Sequence, residues 1–500
     1  MNIGQLINKL MSIFSMYKGM LLGLLGIWAV AFLLSFFGQI AYSPIAMVVS
    51  LLVVVASVYI TSYVCGRIFG VHAHAESSLI TGLILSLIIS PTIEMGGLVV
   101  LLFAGIIAGV SKFILVHNGR HIFNPAALAA FVIGLTGLGG ASWWVATPVL
   151  TPIVLLVILI SLYKTHRMKV TGVFLAVSIP ILLIVFATYG TTFLESIYLL
   201  LSWPLLFMGG VMLVEPLTLP PRKWQMYVEA AVVGILFAIP LNLTVIQMTP
   251  AFALIIGNII ATVFANRERI SLVLKKRNRL TPTTDEFIFT SNKPVRFTAG
   301  QYLEVQLLHK KIDFRGYRRT FSITSAPGTN EISFGIKFYE PSSSFKKALK
   351  ALPIGSTVPA TGYWGDFVLP KDPTAPIVYV AGGIGITPFI SHIKSMEKVI
   401  RDVVLVYAVN SPEEIAYKDL LVKSGIKVVV VTEQTVKDLP EGWKQLKAGR
   451  LNKELIAEAI PDVNQRQAYV SGPTPFVISA KHALRLLNAK HVKTDYFVGY

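Results

Sequence analysis

The chain has 500 residues, of which 54% are hydrophobic and only 14% charged, against about 25% charged in an ordinary soluble domain. A net charge of +18 would suit nucleic acid, but the basic residues gather in loops beside apolar runs and in one linker, so a nucleic-acid partner is set aside. The single cysteine, Cys65, excludes an internal disulfide and any iron–sulfur cluster held by cysteines alone.

The charge is divided unevenly along the chain. Residues 1–266 hold 10 Lys/Arg and 5 Asp/Glu, and residues 267–500 hold the other 34 and 21. An apolar half therefore precedes a soluble-looking half, each large enough for its own domain. The start, MNIGQLINKLMSIFSMYKGM, has no short cleavable apolar core with a small-residue cleavage site, so the first span is expected to be retained.

In residues 1–266 ten apolar runs follow one another, near 19–40, 44–64, 77–91, 95–116, 124–139, 148–163, 170–188, 194–214, 225–244 and 250–265. A spanning helix needs roughly 20 such residues, so 77–91 and 124–139 read as broken or re-entrant. The expected fold here is a polytopic α-helical membrane domain of about ten spans. Every second loop is basic (Lys9 and Lys18; Arg67; Lys112 and Arg120; Lys164, Arg167 and Lys169; Arg222 and Lys223), and GLGGASWWVATP and YGTTFLES carry no Lys or Arg. The positive-inside rule then predicts a multi-pass protein of the cell's inner, cytoplasmic membrane, with both termini and the second half cytoplasmic.

Two polar clusters interrupt the apolar half, HNGRHIFNPAALAAF (His117 to Phe131) and FMGGVMLVEPLTLPP (Phe207 to Pro221). Their prolines break helices and free backbone carbonyls, and polar groups at membrane depth tend to be functional. Glu94, Glu195, Glu215 and Glu229 are candidate ion or proton sites. The patches FNPA (Phe123–Ala126), ATP (Ala146–Pro148) and VEPLTLPP (Val214–Pro221), in that order, resemble the Rnf-D/Nqr-B family, the related membrane proteins of Rnf complexes and of the sodium-pumping NADH:quinone reductase. That resemblance implies FMN joined through a phosphoester to a threonine followed by proline, here Thr147. Trp144 and Val145 stand where the family has small or polar residues, and a non-covalent flavin or quinone between the spans is the alternative.

Residues 267–279 read as a basic linker. From Leu280 apolar and polar residues alternate, with Gly/Pro punctuation, predicting an antiparallel β-barrel of roughly six strands over 280–370. From 371 to 500 short buried strands (IVYV, VVLVYAV, KVVVVTE, QAYVSGP) alternate with helical segments, predicting an α/β parallel-sheet domain. The stretch RRTFSITSAP sets a cation, a ring and hydroxyls along one strand. Arg319 suits a phosphate, Phe321 an apolar tricyclic ring and Ser322 a ring nitrogen, which together describe a flavin.

Together with AGQY upstream, SSSFKKAL and GYWGDFVLP downstream, and AGGIGITPF, that stretch resembles the ferredoxin–NADP reductase superfamily over about 275–500. The resemblance implies an FAD site at Arg319, Thr320, Phe321 and Ser322, with Ser322 reaching N5. Ser343 and Ser344, starting a helix, would take the second phosphate, and contacts from two segments favour FAD over FMN. Gly382, Gly383, Gly385, Thr387 and Pro388 form the dinucleotide turn between a strand and a helix. Ser471, with Gly472 and Pro473, would lie beside the nicotinamide as the second catalytic position with Ser322. Phe497 and Tyr500 would cover the flavin. Asn410 and Ser411, with Glu413 and Glu414 nearby, favour NADH over NADPH.

The function expected is a membrane-bound NAD(P)H oxidoreductase passing electrons through FAD to a membrane redox centre or quinone, with further electron-transfer subunits as partners. A haem-carrying, electron-exporting reductase of the ferric reductase and NADPH oxidase group is one alternative. It would need stacked histidine pairs, and His72, His74, His117, His121 and His166 all fall in loops. A membrane-anchored reductase serving a soluble partner is the other.

Overall fold

The computed structural model describes residues 16–497 apart from 71–74, 118–119, 138, 244–245, 265–268, 293, 314–315, 397–400 and 450. Two compact units divide the chain, Met1–Asn266 and Arg267–Tyr500.

The first unit is helical: α1 Met16–Phe36, α2 Pro44–Ile68, α3 Ala75–Ile88, α4 Met95–Ile114, a hairpin of β1 Val116–His117 and β2 Arg120–His121, then α5 Pro125–Thr136. There follow α6 Thr151–Thr165, α7 Met168–Thr188, α8 Phe193–Ser202, α9 Leu205–Met212 with a π turn at its end, and α10 Lys223–Ala238. A hairpin of β3 Asn242–Leu243 and β4 Ile246–Gln247 and the helix α11 Pro250–Phe264 close the unit. The order repeats: a third helix that is short or broken, a fourth helix, a tight hairpin, and a short proline-initiated helix. Each of the ten apolar runs is helical, but ten full spans are not what forms. Among the described residues four helices (α1, α2, α4, α7) are long and apolar enough to cross a membrane, or five if α8 and α9, bent by 47°, count as one. Helices α3, α5, α6 and α11 are shorter, because their apolar runs are cut by Asn-Pro, Thr-Pro and Gly-rich breaks.

A short helix surrounded by apolar groups must still satisfy its last carbonyls. For α3 the segment after α5 does this. Trp143 N–H donates to Ile88 O at 2.9 Å and Val145 N–H to Leu87 O at 3.2 Å. Trp144 Nε1 donates to Ser86 O at 2.9 Å and to Ile89 O at 3.1 Å. An indole at 144 is therefore structural, which accounts for the departure from small residues next to Thr147.

The second unit begins with a six-stranded antiparallel sheet, β5 Arg269–Thr281, β6 Thr284–Ser291, β7 Tyr302–Gln306, β8 Arg318–Ser322, β9 Glu331–Lys337 and β10 Thr357–Trp364, with α12 Ser344–Lys350 before the last strand. Its order is β8-β7-β10-β5-β6-β9. The sheet curls until Thr324 N–H, just after β8, donates to Ser333 O on β9 at 2.8 Å. Residues 269–279 are not a linker. They form most of β5, which pairs with both β6 and β10; its basic residues disguise a strand whose Ile270, Leu272 and Leu274 alternate into the core.

The α/β layer follows with β11 Ile377–Gly382, α13 Thr387–Ser395, β12 Val403–Ala408, α14 Lys418–Ser424, β13 Lys427–Val431, β14 Lys444–Leu446, α15 Lys453–Ala459, β15 Gln467–Pro473, α16 Thr474–Leu486 and β16 Lys490–Phe497. The sheet order is β14-β13-β12-β11-β15-β16, and every pair is parallel. Parallel strands are covered on both faces, which is why β11 is buried at all six positions. Helix α13 also meets the barrel. Ser391 Oγ donates to Ser325 O at 2.8 Å, the His392 ring lies 2.9 Å from Phe367 O through Nε2, and Lys337 pairs with Glu414 at 2.7 Å.

Candidate functional site

Strand β8 is the sheet edge and is hydrogen-bonded within the sheet only to β7, so its outer side can meet a ligand. Arg319 is buried. Its Nη1 donates to Arg318 O at 2.6 Å and Gly316 O at 3.4 Å, and the guanidinium sits 5.2 Å from the Phe345 ring centre. Phe321 is half-buried against Phe334 and Phe345, centroids 5.7 and 5.9 Å away. The two-residue period of the strand puts Arg319 and Phe321 on one face and Thr320, exposed, and Ser322 on the other. Cation and ring thus converge, while the hydroxyls stand across the strand from them.

Ser343 and Ser344 stand at the start of α12, as expected, each with a partner. Ser343 Oγ caps α12 by accepting from Lys346 N–H at 3.3 Å. Ser344 N–H donates to Asp313 Oδ2 at 2.8 Å, and Ser344 Oγ accepts from Asp313 N–H at 2.9 Å. Ser344 thereby closes the loop before β8 onto α12, and Ser343 caps that helix.

The dinucleotide turn is built by three close approaches. A side chain at Gly382 would stand 2.7 Å from the Phe476 ring, one at Gly385 would stand 2.3 Å from Ser471 O, and one at Gly472 would stand 3.1 Å from Gly382 O. Gly383 takes φ +55, where a side chain is strained. The turn after β11 and the end of β15 are thereby pressed together at the carboxyl ends of the strands, where open α/β sheets bind ligands. Thr387 Oγ1 ties the turn by donating to Ile384 O at 3.0 Å, and Pro388 heads α13. Ser471 is fully buried, and its Oγ has no hydrogen-bond partner. An orphaned hydroxyl beside a glycine cradle fits a nicotinamide dinucleotide. Pro473 pairs across the sheet with half-buried Phe497; Tyr500 lies outside the described residues.

Several contributors give little signal in the sequence. A side chain at Gly335 on β9 would meet Tyr417 Oη at 2.6 Å and Thr387 Cγ2 at 2.9 Å, so this glycine admits the α/β layer onto the barrel. A glycine inside a strand pattern is the signal that could have found it. Tyr417 takes φ +60, and burial holds its phenol well above the ordinary value, with the Glu286 carboxylate adding to the effect. Burial drives His392 down to about 4. Glu414, expected to repel a 2′-phosphate, is held by Lys337; Glu413 remains exposed.

In the first unit the two polar clusters meet. His121 Nε2 lies 2.9 Å from Glu215 Oε1. Asn124 N–H donates to Asn258 Oδ1 at 2.8 Å, and Asn258 Nδ2 donates to Glu229 Oε1 at 3.4 Å, with Asn258 and Glu229 fully buried. Glu94 is exposed at the start of α4, and Glu195 completes a capping box with Thr192, so both stand at helix ends. Thr147 Oγ1 is buried without a partner, near an apolar cavity of about 260 Å³ lined by Val145, Ala146, Thr151 and the Trp203–Pro204 break.

Residues 379–482 match the model of the oxidoreductase NAD-binding domain. That stretch of the chain is therefore similar to a nicotinamide-dinucleotide-binding domain of oxidoreductases. The chain is 25% identical over 231 residues to the reductase component of propane 2-monooxygenase from Rhodococcus jostii, covering 43% of this chain and 60% of that protein. It is 26% identical to a flavohemoprotein of Oceanobacillus iheyensis (46% and 55% covered) and 27% identical to the glycine betaine monooxygenase reductase subunit of Pseudomonas aeruginosa (40% and 56%). The chain thus spans little more than half the length of these curated relatives. Among solved structures, the Amycolatopsis cytochrome P450 reductase GcoB and the FAD/NAD-binding domain of nitric oxide dioxygenase from Vibrio cholerae align at 18% identity. They cover 47% and 46% of this chain and 71% and 98% of theirs, with TM-scores of 0.40 and 0.39; at these values the likeness carries no functional weight. The resemblance of the apolar half to the membrane proteins of Rnf complexes and the sodium-pumping reductase stands on its sequence patches alone.

Proposed function

We propose that the protein is a membrane-bound NAD(P)H oxidoreductase that takes electrons from NADH at the turn after β11 and passes them through FAD to quinone in the bilayer. The observation that carries the reading is the pressed-together pair of turns at Gly382–Gly385 and Ser471–Gly472, set in one unit with the barrel that bears Arg319. FAD, when bound, supplies the chemistry that accepts an electron pair as hydride and releases electrons one at a time.

The chain's own residues do the rest. Gly382, Gly385 and Gly472 let the backbone approach a pyrophosphate. Ser471 offers its unpartnered hydroxyl beside the nicotinamide, and the buried Arg319 sets a fixed positive charge for the flavin phosphates. Glu413 keeps a carboxylate by the ribose side, which supports NADH over NADPH. The apolar helices and the alternating basic loops support a multi-pass protein of the cytoplasmic membrane with its reductase unit in the cytoplasm. The partnerless Thr147 hydroxyl supports an FMN attached there, read by flavin fluorescence remaining on the denatured polypeptide.

A second reading, a membrane-held reductase serving a protein partner, is favoured by the two relatives that are reductase components of monooxygenases. The deciding experiment uses detergent-purified protein. Yellow pigment bleached by NADH, followed by reduction of added quinone at a comparable turnover, is the expected result. Pigment that NADH bleaches without quinone turnover favours the second reading. A colourless protein that takes up no FAD ends both.

A further inference from the structure

The positive charge of the second unit is concentrated in its barrel. Residues 267–370 hold 17 Lys/Arg against 8 Asp/Glu, whereas residues 371–500 hold 17 against 13. Much of the excess surrounds one small helix. On α12, Lys347 and Lys350 lie one turn apart and exposed, while Phe345 and Leu349 bury the other face. The loop carrying exposed Lys310 and Lys311 is fastened to the start of that helix, with His309 Nε2 2.9 Å from Ser344 Oγ and the reciprocal Asp313–Ser344 hydrogen bonds beside it. Asp313 is held at the helix start by those bonds, one carboxylate against the four exposed lysines Lys310, Lys311, Lys347 and Lys350.

Large apolar side chains stand among these cations. Leu308 precedes Lys310 and is 59% exposed; Ile354, just past the helix, is 60% exposed. Tyr339 is 52% exposed, its ring 5.3 Å from Lys346 Nζ and 5.2 Å from Lys337 Nζ. Acidic residues nearby include Glu340, exposed, Glu331, paired with Lys275 at 2.6 Å, and Glu414, paired with Lys337 at 2.7 Å.

We propose that this face binds the headgroups of anionic phospholipids. Lysines interleaved with a few exposed aliphatic and aromatic groups are the composition of a surface that rests at a lipid interface. Among the described residues the exposed cations on α12 and its loop are lysines, whereas protein–protein interfaces enrich arginine and deplete lysine. Only residues 265–268 join the end of α11 to the start of β5, so the barrel is tethered within a few residues of the chain's apolar half. The inference rests on that half being embedded in a bilayer, and it is independent of which acceptor takes the electrons.

The test places the full-length protein in nanodiscs of phosphatidylcholine, alone or with roughly a third phosphatidylglycerol, and follows hydrogen exchange in peptides covering 305–312 and 345–355. Exchange there is expected to slow roughly tenfold in the anionic discs only, and to recover at about 1 M salt, where screening is short-ranged. The variant K310Q/K311Q/K347Q/K350Q, with an unchanged unfolding midpoint, is expected to show no difference between the discs. Equal exchange of the parent protein in both discs overturns the proposal, and this comparison needs no variant. Slowing in neutral discs only when an acidic ferredoxin is added assigns the face to a protein and overturns it too. A chain that stays soluble without lipid or detergent instead overturns the membrane reading beneath it.

Discussion

At Gly385 the space for a side chain is already taken by backbone: Ser471 O at 2.3 Å and the Cα of Gly472 at 2.6 Å. A flexible side chain could move aside, but two strand ends held in register with Ala381 and Gly382 cannot do so cheaply. Gly385→Ala must therefore push the turn off β15 and spoil the approach to the pyrophosphate. We expect kcat/KM for NADH to fall at least about tenfold, or about 1.4 kcal/mol of transition-state binding, with the flavin content unchanged. Loss of flavin together with activity would instead place the damage in the barrel. Gly383 differs in kind: no atom lies within 4 Å of an added Cβ, and only its φ of +55 resists substitution. Its replacement by alanine should appear as backbone strain of about 1–2 kcal/mol in a melting curve.

Helix α13 shows how one element serves two domains. Its first turn carries the dinucleotide loop, and its last turn carries His392, buried beneath Phe367, Tyr379 and Phe389. Burial keeps the imidazole neutral and moves it from 6.5 to about 4. The unfolded chain binds a proton there below 6.5 and the folded chain does not until about 4, so the stabilisation is complete above 6.5 and is lost as pH falls toward 4. That loss amounts to about 3 kcal/mol. Asp402 and Asp462, held low chiefly by hydrogen bonds from Arg466, change only below the ordinary carboxylate value of 3.8, so the two windows separate. His392→Asn should flatten the dependence of the unfolding midpoint between pH 6.5 and 4; a variant as steep as its parent would show that other groups set it. The sequence announced the helix and its glycine turn, because a buried strand, glycines and an amphipathic run adjoin one another. It did not announce His392, because a histidine on a short helix looks the same whether it faces water or a barrel. Arg319 and Phe321 were legible for the opposite reason: a two-residue period states which side chains share a face. The same period sets Thr320 and Ser322 on the other face of the strand.

On the scale of the whole molecule, the boundary between the units is where composition and structure part. A run with Lys275, Lys276, Arg277 and Arg279 has the charge of a linker, yet Leu272 and Leu274 are fully buried and the strand they belong to lies between two others. In a curled sheet the loss of an inner strand removes two ladders at once and opens the core holding Phe287, Phe289 and Val358. A fragment of residues 280–500, cut where composition changes, should accordingly be insoluble or molten and bind no FAD. A fragment of residues 267–500, which keeps β5 intact, should fold cooperatively and take up the flavin. Its reaction with NADH should match the full chain when a small soluble acceptor such as ferricyanide is used, because the turns at Gly385 and Ser471 lie wholly within it. Its turnover with a lipophilic quinone should be far lower if electrons normally leave through the helical unit. Equal quinone turnover by fragment and full chain would reduce residues 1–266 to an anchor and move the acceptor site onto the barrel.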